Sequence, residues 1–241
     1  MKFLLALPVG LIAGAAIAFG FLFYNPFTSQ LSLSPLAVSD RQQITLRYSA
    51  VAEDSIVLTN NGESRVHPNP AKVLQLWEAP INKTDALVTV LRDGRNETVG
   101  IGVKYSSQSE RTRLLNGKAL IDSTWYIFMP GQGSMLIEQS ENHWAFLREV
   151  IVPAYWNSGN NWRGNWHGTI TDGPGALGTG RVYGGSGRFL GLDSEAIETH
   201  TAKAYSTDVG PVAMEGQLTI DLSVEVDESS DDEYAVDAVT Q

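Results

Sequence analysis

Glycine recurs at short, regular intervals between residues 178 and 191. The stretch reads GTGRVYG followed directly by GSGRFLG, so one seven-residue pattern occurs twice in succession. Glycine at this density marks backbone that turns, bulges or lies close to another strand. Residues 192–206 continue as a strand pattern without a helix-start signal. We therefore predict a glycine-bent β-structure, and not a phosphate-binding loop, which needs a helix directly after it.

Two-residue alternation of apolar and polar side chains marks strands elsewhere in the chain. The clearest case is residues 214–226, as expected for a strand with one buried and one wet face. Residues 99–105 alternate in the same way, with Lys104 on the wet face. Further strands are predicted at 44–48, 55–59, 86–92, 122–129, 134–140, 144–152, 165–171 and 193–206, and one short helix at 70–77.

Many short strands and little helix predict an all-β, antiparallel domain. A large sheet hides its edges by closing on itself, so we expect a β-barrel of about eight to ten strands.

Residues 184–191, GGSGRFLG, match the pattern G-G-[ST]-G-R-F-x-G. This pattern resembles that of the allene oxide cyclase-like β-barrels, a calycin-like group that includes dirigent proteins and many bacterial proteins. The resemblance covers residues 165–222 and implies a barrel with an apolar interior cavity. It carries no catalytic residue over, because the family's catalytic positions lie outside the motif. The structural motif comprises Gly178, Gly180, Gly184, Gly185, Gly187, Arg188, Phe189 and Gly191.

The N-terminus is predicted to be a membrane anchor. Residues 3–23 carry no charge, and the only positive groups next to them, Lys2 and the amino terminus, precede them. A helix of this length spans about 30 Å, the hydrocarbon core of a bilayer. The charge bias predicts a single-pass protein with a cytoplasmic N-terminus and a barrel outside, periplasmic in a bacterium. The alternative is a signal peptide cleaved near Ala18, which would release a secreted protein.

Charge and composition define the remaining segments. The formal net charge is −10, and the acidic end of the chain contributes strongly to it. We predict an anchor at 1–24, a linker at 25–39, a barrel domain at 40–226 and a disordered acidic tail at 227–241. The acidic balance argues against nucleic-acid binding.

The absence of cysteine excludes disulfides, thiol nucleophiles and cysteine-ligated metals. The four histidines are not at metal-ligand spacing, and we predict neither a metal site nor a cofactor.

Candidate ligand-binding residues come from aromatic and charged positions. An aromatic-rich stretch at 155–167 either lines a barrel mouth or packs a barrel end. The strand at 122–129 is apolar on both faces, so one face points to a cavity and the other packs against another element or subunit. The candidates are Trp125, Trp144, Arg148, Tyr155, Trp162, Trp166, Glu198 and His200.

The charged candidates carry alternatives. Arg148 shares an otherwise apolar strand face with Trp144, so it either needs a buried carboxylate or reaches the rim and pairs with a nearby glutamate. Glu198 and His200 share a strand face, where we expect an outward, solvated pair; the alternative is an inward acid–base pair. Glu138 and Glu149 are weaker candidates for an interior acid.

Three functions fit these features. The first is binding of a small apolar or amphipathic ligand in the barrel. The second is a cyclase or isomerase that shapes a reactive lipid-like or aromatic substrate, for which the distinguishing feature is an interior carboxylate or tyrosine. The third is a non-catalytic homo-oligomeric assembly module at the membrane. Its distinguishing feature is a broad apolar outer face, for instance around Tyr126 and Phe128.

Overall fold

The computed structural model of the protein describes residues 10–17, 20, 42–51, 54, 57–60, 63–66 and 84–222. Residues 10–17 are helical, and no helix within the described residues is long and apolar enough to cross a membrane. The predicted linker, the predicted helix at 70–77, the acidic tail and most of the predicted anchor lie outside the described residues.

Antiparallel strands dominate the described chain, which confirms the predicted all-β class. In chain order the strands are β1 (Gln43–Ser49), β2 (Val57–Asn60), β3 (Glu63–Val66), β4 (Asp85–Arg92), β5 (Thr98–Gln108), β6 (Leu120–Met129), β7 (Gly133–Asn142), β8 (Asn161–Thr169), β9 (Thr171–Gly173), β10 (Gly180–Gly187), β11 (Asp193–Ser206) and β12 (Gly210–Asp221). A short 3₁₀ turn occupies Leu114–Asn116.

Eight of these strands pair in a ring. The order is β1-β12-β11-β10-β7-β6-β5-β4, and β4 pairs back to β1 where Arg92 lies opposite Arg47. The β2–β3 hairpin extends from β4, β8 pairs with β11, and β9 pairs with β7. The ring gives the sheet an inner and an outer face, as the predicted closure requires.

Alternation along the strands places an apolar core inside the ring. On β12, Met214, Leu218 and Ile220 are buried, which confirms the predicted inward face of this strand. On β6, Trp125 and Ile127 are fully buried, whereas the outward Tyr126 and Phe128 are each 46% exposed. Fourteen buried residues form this core: Leu46, Tyr48, Leu91, Trp125, Ile127, Met129, Met135, Ile137, Val182, Phe189, Leu192, Ala196, Leu218 and Ile220.

The two faces of β5 are the reverse of those predicted. Gly100, Gly102 and Lys104 point inward and are buried, while Ile101 and Tyr105 are exposed on the outer face. The reason is steric: a Cβ on Gly102 would lie 2.7 Å from the Trp125 ring. The large indole therefore requires the side-chain-free face of β5 to point inward, and Lys104 follows that face.

The predicted strand at 144–152 is wrong, because this segment is helical. It consists of an α-helical turn at Trp144–Phe146, a π-helical turn at Leu147–Ile151 and an α-helical turn at Val152–Trp156. The buried residues Phe146, Val150 and Ala154 are four positions apart, so the apolar positions that fit a strand also fit one helix face. Phe146 and Val150 belong to a second core cluster, together with Trp166, Ile170, Ala202 and Met214.

The glycine motif builds a turn whose apolar side chains enter the ring core. After β10 the chain turns back through residues 188–192, and Phe189 and Leu192 bury their side chains in the ring core. The Gly184 N–H donates to the Leu192 carbonyl at 2.7 Å, and a Cβ on Gly184 would overlap the carbonyl oxygen of Phe189. Close backbone approach therefore explains the glycine at 184.

Replacing Gly184 by alanine should destabilise the protein by about 1 to 3 kcal/mol, the usual cost of overpacking a closely packed site. Gly94→Ala is the matched control, because a Cβ there meets no atom within 4 Å. Urea unfolding of both full-length variants measures the difference. Equal midpoints for the two variants would contradict the close approach described above.

Candidate functional site

A carboxylate lies fully buried inside the ring. Glu198 of β11 is 0% exposed. Its Oε1 accepts hydrogen bonds from Lys104 Nζ at 2.9 Å and from the Tyr48 hydroxyl. The Nε2 of His200, two residues along the same strand, lies 3.1 Å from this oxygen. One oxygen thus gathers a cation, a phenol and an imidazole, which are the groups that take part in proton transfer.

The second oxygen of Glu198 is also satisfied. Oε2 accepts a hydrogen bond from Trp125 Nε1 at 3.0 Å and another from the Gln139 side-chain amide. The backbone N–H of Glu198 donates to Thr171 Oγ1 at 2.8 Å. A buried carboxylate needs such a complete set of donors to remain ionised.

A second buried carboxylate, Glu141 of β7, shares the same ammonium. Lys104 Nζ lies 2.7 Å from Glu141 Oε1, which also accepts from the Ser123 hydroxyl and from Gln139 Nε2 at 3.1 Å. Its other oxygen lies 2.8 Å from His143 Nε2. Lys104 therefore bridges two carboxylates on two different strands. We call the residues Tyr48, Ser123, Lys104, Trp125, Gln139, Glu141, His143, Glu198 and His200 the interior polar cluster.

The pKa values in the cluster follow from this bridge. Burial raises the pKa of each carboxyl, but Lys104 and the hydrogen-bonding neighbours together outweigh it: the pKa of Glu141 falls to about 2, and that of Glu198 falls well below its ordinary value. Burial lowers the pKa of Lys104, yet the two carboxylates reverse this and raise it. One ammonium therefore stands between two carboxylates at neutral pH, which leaves these three groups with one net negative charge.

The phenol and the imidazole of the cluster remain uncharged. Burial, and then the negative charge of Glu198, raise the pKa of Tyr48 well above its ordinary value. Burial lowers the pKa of His200, although Glu198 acts in the opposite direction. Tyr48 Oη and His200 Nε2 lie 2.9 Å apart. A neutral phenol can donate a hydrogen bond, and a neutral imidazole has one nitrogen that can accept a proton.

Glycines make room for the two large aromatic members. Gly216 lies opposite Tyr48 on the paired strands β12 and β1, and a Cβ there would overlap the tyrosine ring. Gly102 provides the corresponding space for Trp125. The two rings meet edge to face with centroids 4.8 Å apart, a favoured aromatic geometry, and they form one side of the cluster.

The structure brings three of the predicted candidates together. Trp125, Glu198 and His200 all belong to the interior polar cluster. The expectation that Glu198 and His200 form an outward, solvated pair is wrong, because both are buried and point into the ring. His167, on the neighbouring strand β8, is the histidine that points outward.

Three further candidates lie on the helical segment, away from the cluster. Arg148 pairs with its neighbour Glu149 and is partly exposed, so it does not lie on an inward strand face. Trp144 is half-buried, and Tyr155 is 62% exposed. The difference follows from the helical conformation of this segment. A ligand contact for any of them remains a prediction.

The last two candidates lie on β8. Trp166 is buried, contacts Phe146 edge to face and donates from Nε1 to Glu149 Oε2 at 3.1 Å. Trp162 is half-buried against the second core cluster, to which Trp166 and Phe146 belong. Of the two weaker acid candidates, Glu138 is exposed on β7 and Glu149 lies at the surface beside Arg148.

Sequence reasoning did not select Tyr48, Lys104, Gln139 or Glu141. Lys104 and Glu141 stand on strands whose inward face is marked by glycine or by polar residues, and this pattern is also that of a solvated face. A signal was available on β7, where Met135, Ile137, Gln139 and Glu141 follow one face. All four side chains are buried on the inner face of the ring, and along the strand this face changes from apolar to polar.

The cluster is not arranged as a metal centre. Within the residues that the structure describes, no group of three or more histidine, aspartate or glutamate side chains has the arrangement needed to hold a metal ion. Lys104 occupies the position between the two carboxylates at which a cation would lie.

Acidification should remove the stabilisation that Glu141 contributes. Its pKa is about 2 in the folded protein against an ordinary 4.5, so the folded state binds this proton more weakly than the unfolded state. The contribution, on the order of 3 kcal/mol, is therefore fully present above about pH 5 and is lost as the pH falls toward 2. Urea unfolding between pH 7 and pH 3 measures it.

Glu141→Gln should lose less stability than the wild type over this pH range, because it lacks the titrating group. Glu138→Gln is the matched control, since Glu138 is an exposed carboxyl on the same strand, and it should follow the wild type. Parallel pH dependence of the wild type and Glu141→Gln would contradict the assignment.

Comparisons with known proteins identify no family. No protein-family model and no curated protein matches the sequence. Among solved structures, the chain is similar to the Diels Alderase AbmU from Streptomyces koyangensis, with 10% sequence identity, a TM-score of 0.35, and coverage of 81% of this chain and 76% of that one. It is also similar to a nonspecific heme-binding cyclase that catalyses a cycloaddition during neoabyssomicin biosynthesis, with 11% identity, a TM-score of 0.35, and coverage of 81% and 74%. Similarity at this level assigns no function, and the resemblance to allene oxide cyclase-like barrels remains a prediction.

Proposed function

We propose that the protein is a cyclase or isomerase that binds a small, amphipathic, lipid-like or aromatic substrate against the interior polar cluster. The observation that carries the proposal is the fully buried Glu198 carboxylate, bonded to Lys104, Tyr48 and His200 inside the ring. An interior carboxylate and tyrosine are the features that distinguish this function from passive binding of an apolar ligand.

Energetics support a catalytic role for the cluster over a structural one. Burying a carboxylate or an ammonium costs several kcal/mol, and a packed apolar group of similar volume is often as stable or more stable. The ring already has an apolar core of fourteen residues. A carrier of apolar compounds needs no carboxylate or ammonium on its inner wall, whereas a carboxylate, a phenol and an imidazole in mutual contact inside a fold are typical of acid–base sites.

The substrate contacts are placed by the two cores. The cluster lies further along β11 and β12 than Phe189 and Leu192 of the ring core, toward the end where Ala202 pairs with Met214. Ala202 and Met214 pack in the second core cluster. In our proposal this packing opens, the substrate meets Tyr48, Glu198 and His200, and the wall holds it in the reactive conformation. The predicted N-terminal anchor would keep the domain beside the membrane, near apolar substrates.

The proposal can be tested with full-length protein purified from its own host. Native mass spectrometry followed by denaturation should release one small molecule per chain. Incubation of that compound with the protein should yield an isomer of equal mass, because cyclisation and isomerisation conserve the atoms. Tyr48→Phe and Glu198→Gln should lower the conversion rate by at least about 100-fold, the usual contribution of acid–base groups, while Glu138→Gln should convert at the wild-type rate.

Two results would contradict the proposal. A bound compound that the wild type does not convert would indicate a ligand-binding protein. Unchanged conversion in both Tyr48→Phe and Glu198→Gln would remove the cluster from the reaction.

A second candidate function, assembly of several copies, is favoured by the outer face of β5 and β6. Ile101 lies opposite Phe128 and Val103 opposite Tyr126, so apolar side chains are adjacent on the outside of the ring. Ile101, Tyr126 and Phe128 are each more than two-fifths exposed. Contiguous exposed apolar surface of this kind marks contact sites.

The assembly function predicts an oligomer that depends on this face. In analytical ultracentrifugation the full-length protein should sediment as a particle of more than one chain. The double variant Tyr126→Ser, Phe128→Ser should sediment as a monomer. Leu190→Ser, an exposed apolar residue in the glycine turn at 75% exposure, is the control. A wild-type monomer would exclude this function.

A further inference from the structure

One nitrogen in the interior polar cluster has no hydrogen-bond partner among the residues that the structure describes. His200 is 5% exposed, and its Nδ1 is buried without a hydrogen bond. Every other polar atom of the neighbouring Glu198 carboxylate and Tyr48 hydroxyl is bonded. Buried polar atoms are satisfied in the great majority of cases, so an exception requires an explanation.

The bonding around the other ring nitrogen fixes the tautomer. The single proton of the Tyr48 hydroxyl goes to Glu198 Oε1, so Tyr48 Oη can only accept from His200 Nε2 at 2.9 Å. The carboxylate oxygen at 3.1 Å from Nε2 can only accept as well. His200 Nε2 therefore carries the proton, and in the neutral imidazole Nδ1 is a bare lone pair.

We propose that His200 Nδ1 is the base that accepts a proton from the substrate, with Glu198 as the positioning residue that holds the ring in this tautomer. This inference rests on the proposed function and names a residue and a substrate class for it. A carboxylate on one imidazole nitrogen and a free lone pair on the other form the arrangement that makes histidine a general base.

The step balances without a co-reactant. The proton leaves a substrate atom for Nδ1, the bonding electrons stay on the substrate, and the same proton returns to a different substrate atom. The imidazolium formed in between keeps its Nε2–H on Glu198, which stabilises the positive charge. Because Lys104 stands against two carboxylates, a transient positive charge on His200 also offsets the net negative charge of these three groups.

The same charges define the substrate class. A net negative, buried site disfavours an anionic substrate. An imidazole removes protons only from relatively acidic positions, such as a C–H beside a carbonyl or an enol O–H. The substrate class is therefore an uncharged, enolisable carbonyl compound with an apolar body. Tyr48 and Glu198 lie at Nε2 of His200, the His143 ring lies with its centroid 6.1 Å away, and the Lys104 ammonium also acts on the imidazole.

The tautomer can be measured independently of any reaction. Two-bond ¹H–¹⁵N correlation spectra of the full-length protein distinguish the two imidazole nitrogens, and four histidines are few enough to assign by substitution. We expect His200 to be neutral at pH 7, with hydrogen on Nε2 and none on Nδ1. Hydrogen on Nδ1 would overturn the inference and leave the proposed function standing.

The role of the nitrogen is tested with 2-tetralone, an uncharged, apolar, enolisable ketone, as the probe. Adding it should shift the Nδ1 resonance of His200, and the protein should accelerate deuterium exchange beside its carbonyl. His200→Gln should slow this exchange by at least about 100-fold. His167→Gln, which replaces an exposed histidine on β8, should exchange at the wild-type rate.

The outcomes separate this inference from the proposed function. A correct tautomer with no Nδ1 shift and no effect of His200→Gln on exchange would overturn the role of His200. If His200→Gln does not fold, the Nδ1 shift in the wild type still decides the matter. Failure of the proposed function is seen in a different experiment: the compound that co-purifies from the host is bound by the wild type but is not converted.

Discussion

The ammonium of Lys104 between two buried carboxylates is the interaction on which the inside of the ring depends. Glu141 and Glu198 would repel each other in a low-dielectric interior, and the cation from β5 links β7 to β11 instead. With Lys104 in place, both carboxylates stay ionised and can accept hydrogen bonds from several strands. Trp125, Gln139 and Tyr48 are oriented by these bonds, so the positions of the aromatic and amide groups follow from one lysine.

Glycine provides the space that this arrangement needs. Gly102 and Gly216 leave room for the Trp125 and Tyr48 rings inside the ring, and Gly184 lets the turn after β10 fold back against the core. A strand loses packing and gains backbone freedom at each glycine. The polar cluster and the turn are therefore built with positions that weaken the strands locally, and the glycines exchange this loss for the burial of Tyr48, Trp125 and Phe189 in the ring core.

The sequence predicted the strands better than it predicted their faces. Alternation on β12 identified the buried side correctly, because Leu218 and Ile220 are larger and more apolar than their neighbours. On β6 both faces are apolar, so alternation left open that Trp125 and Ile127 point inward. On β5 the same rule failed, because the volume of Trp125 on the next strand, and not hydrophobicity, decides which face points inward. At 144–156 the apolar spacing fits both periods, and only packing against Trp166 distinguishes them. The pairing of Lys104 with Glu141 and Glu198 joins distant parts of the chain and leaves no local pattern.

The turn through residues 188–192 has a consequence for the order in which the chain becomes structured. Phe189 and Leu192 bury their side chains in the same core as Leu46 of β1, Ile127 of β6 and Leu218 of β12. These partners are distant in sequence, so the turn is held by strands that must first come together. We therefore expect the glycine turn to become ordered late, with the closure of the ring, although its own sequence is local.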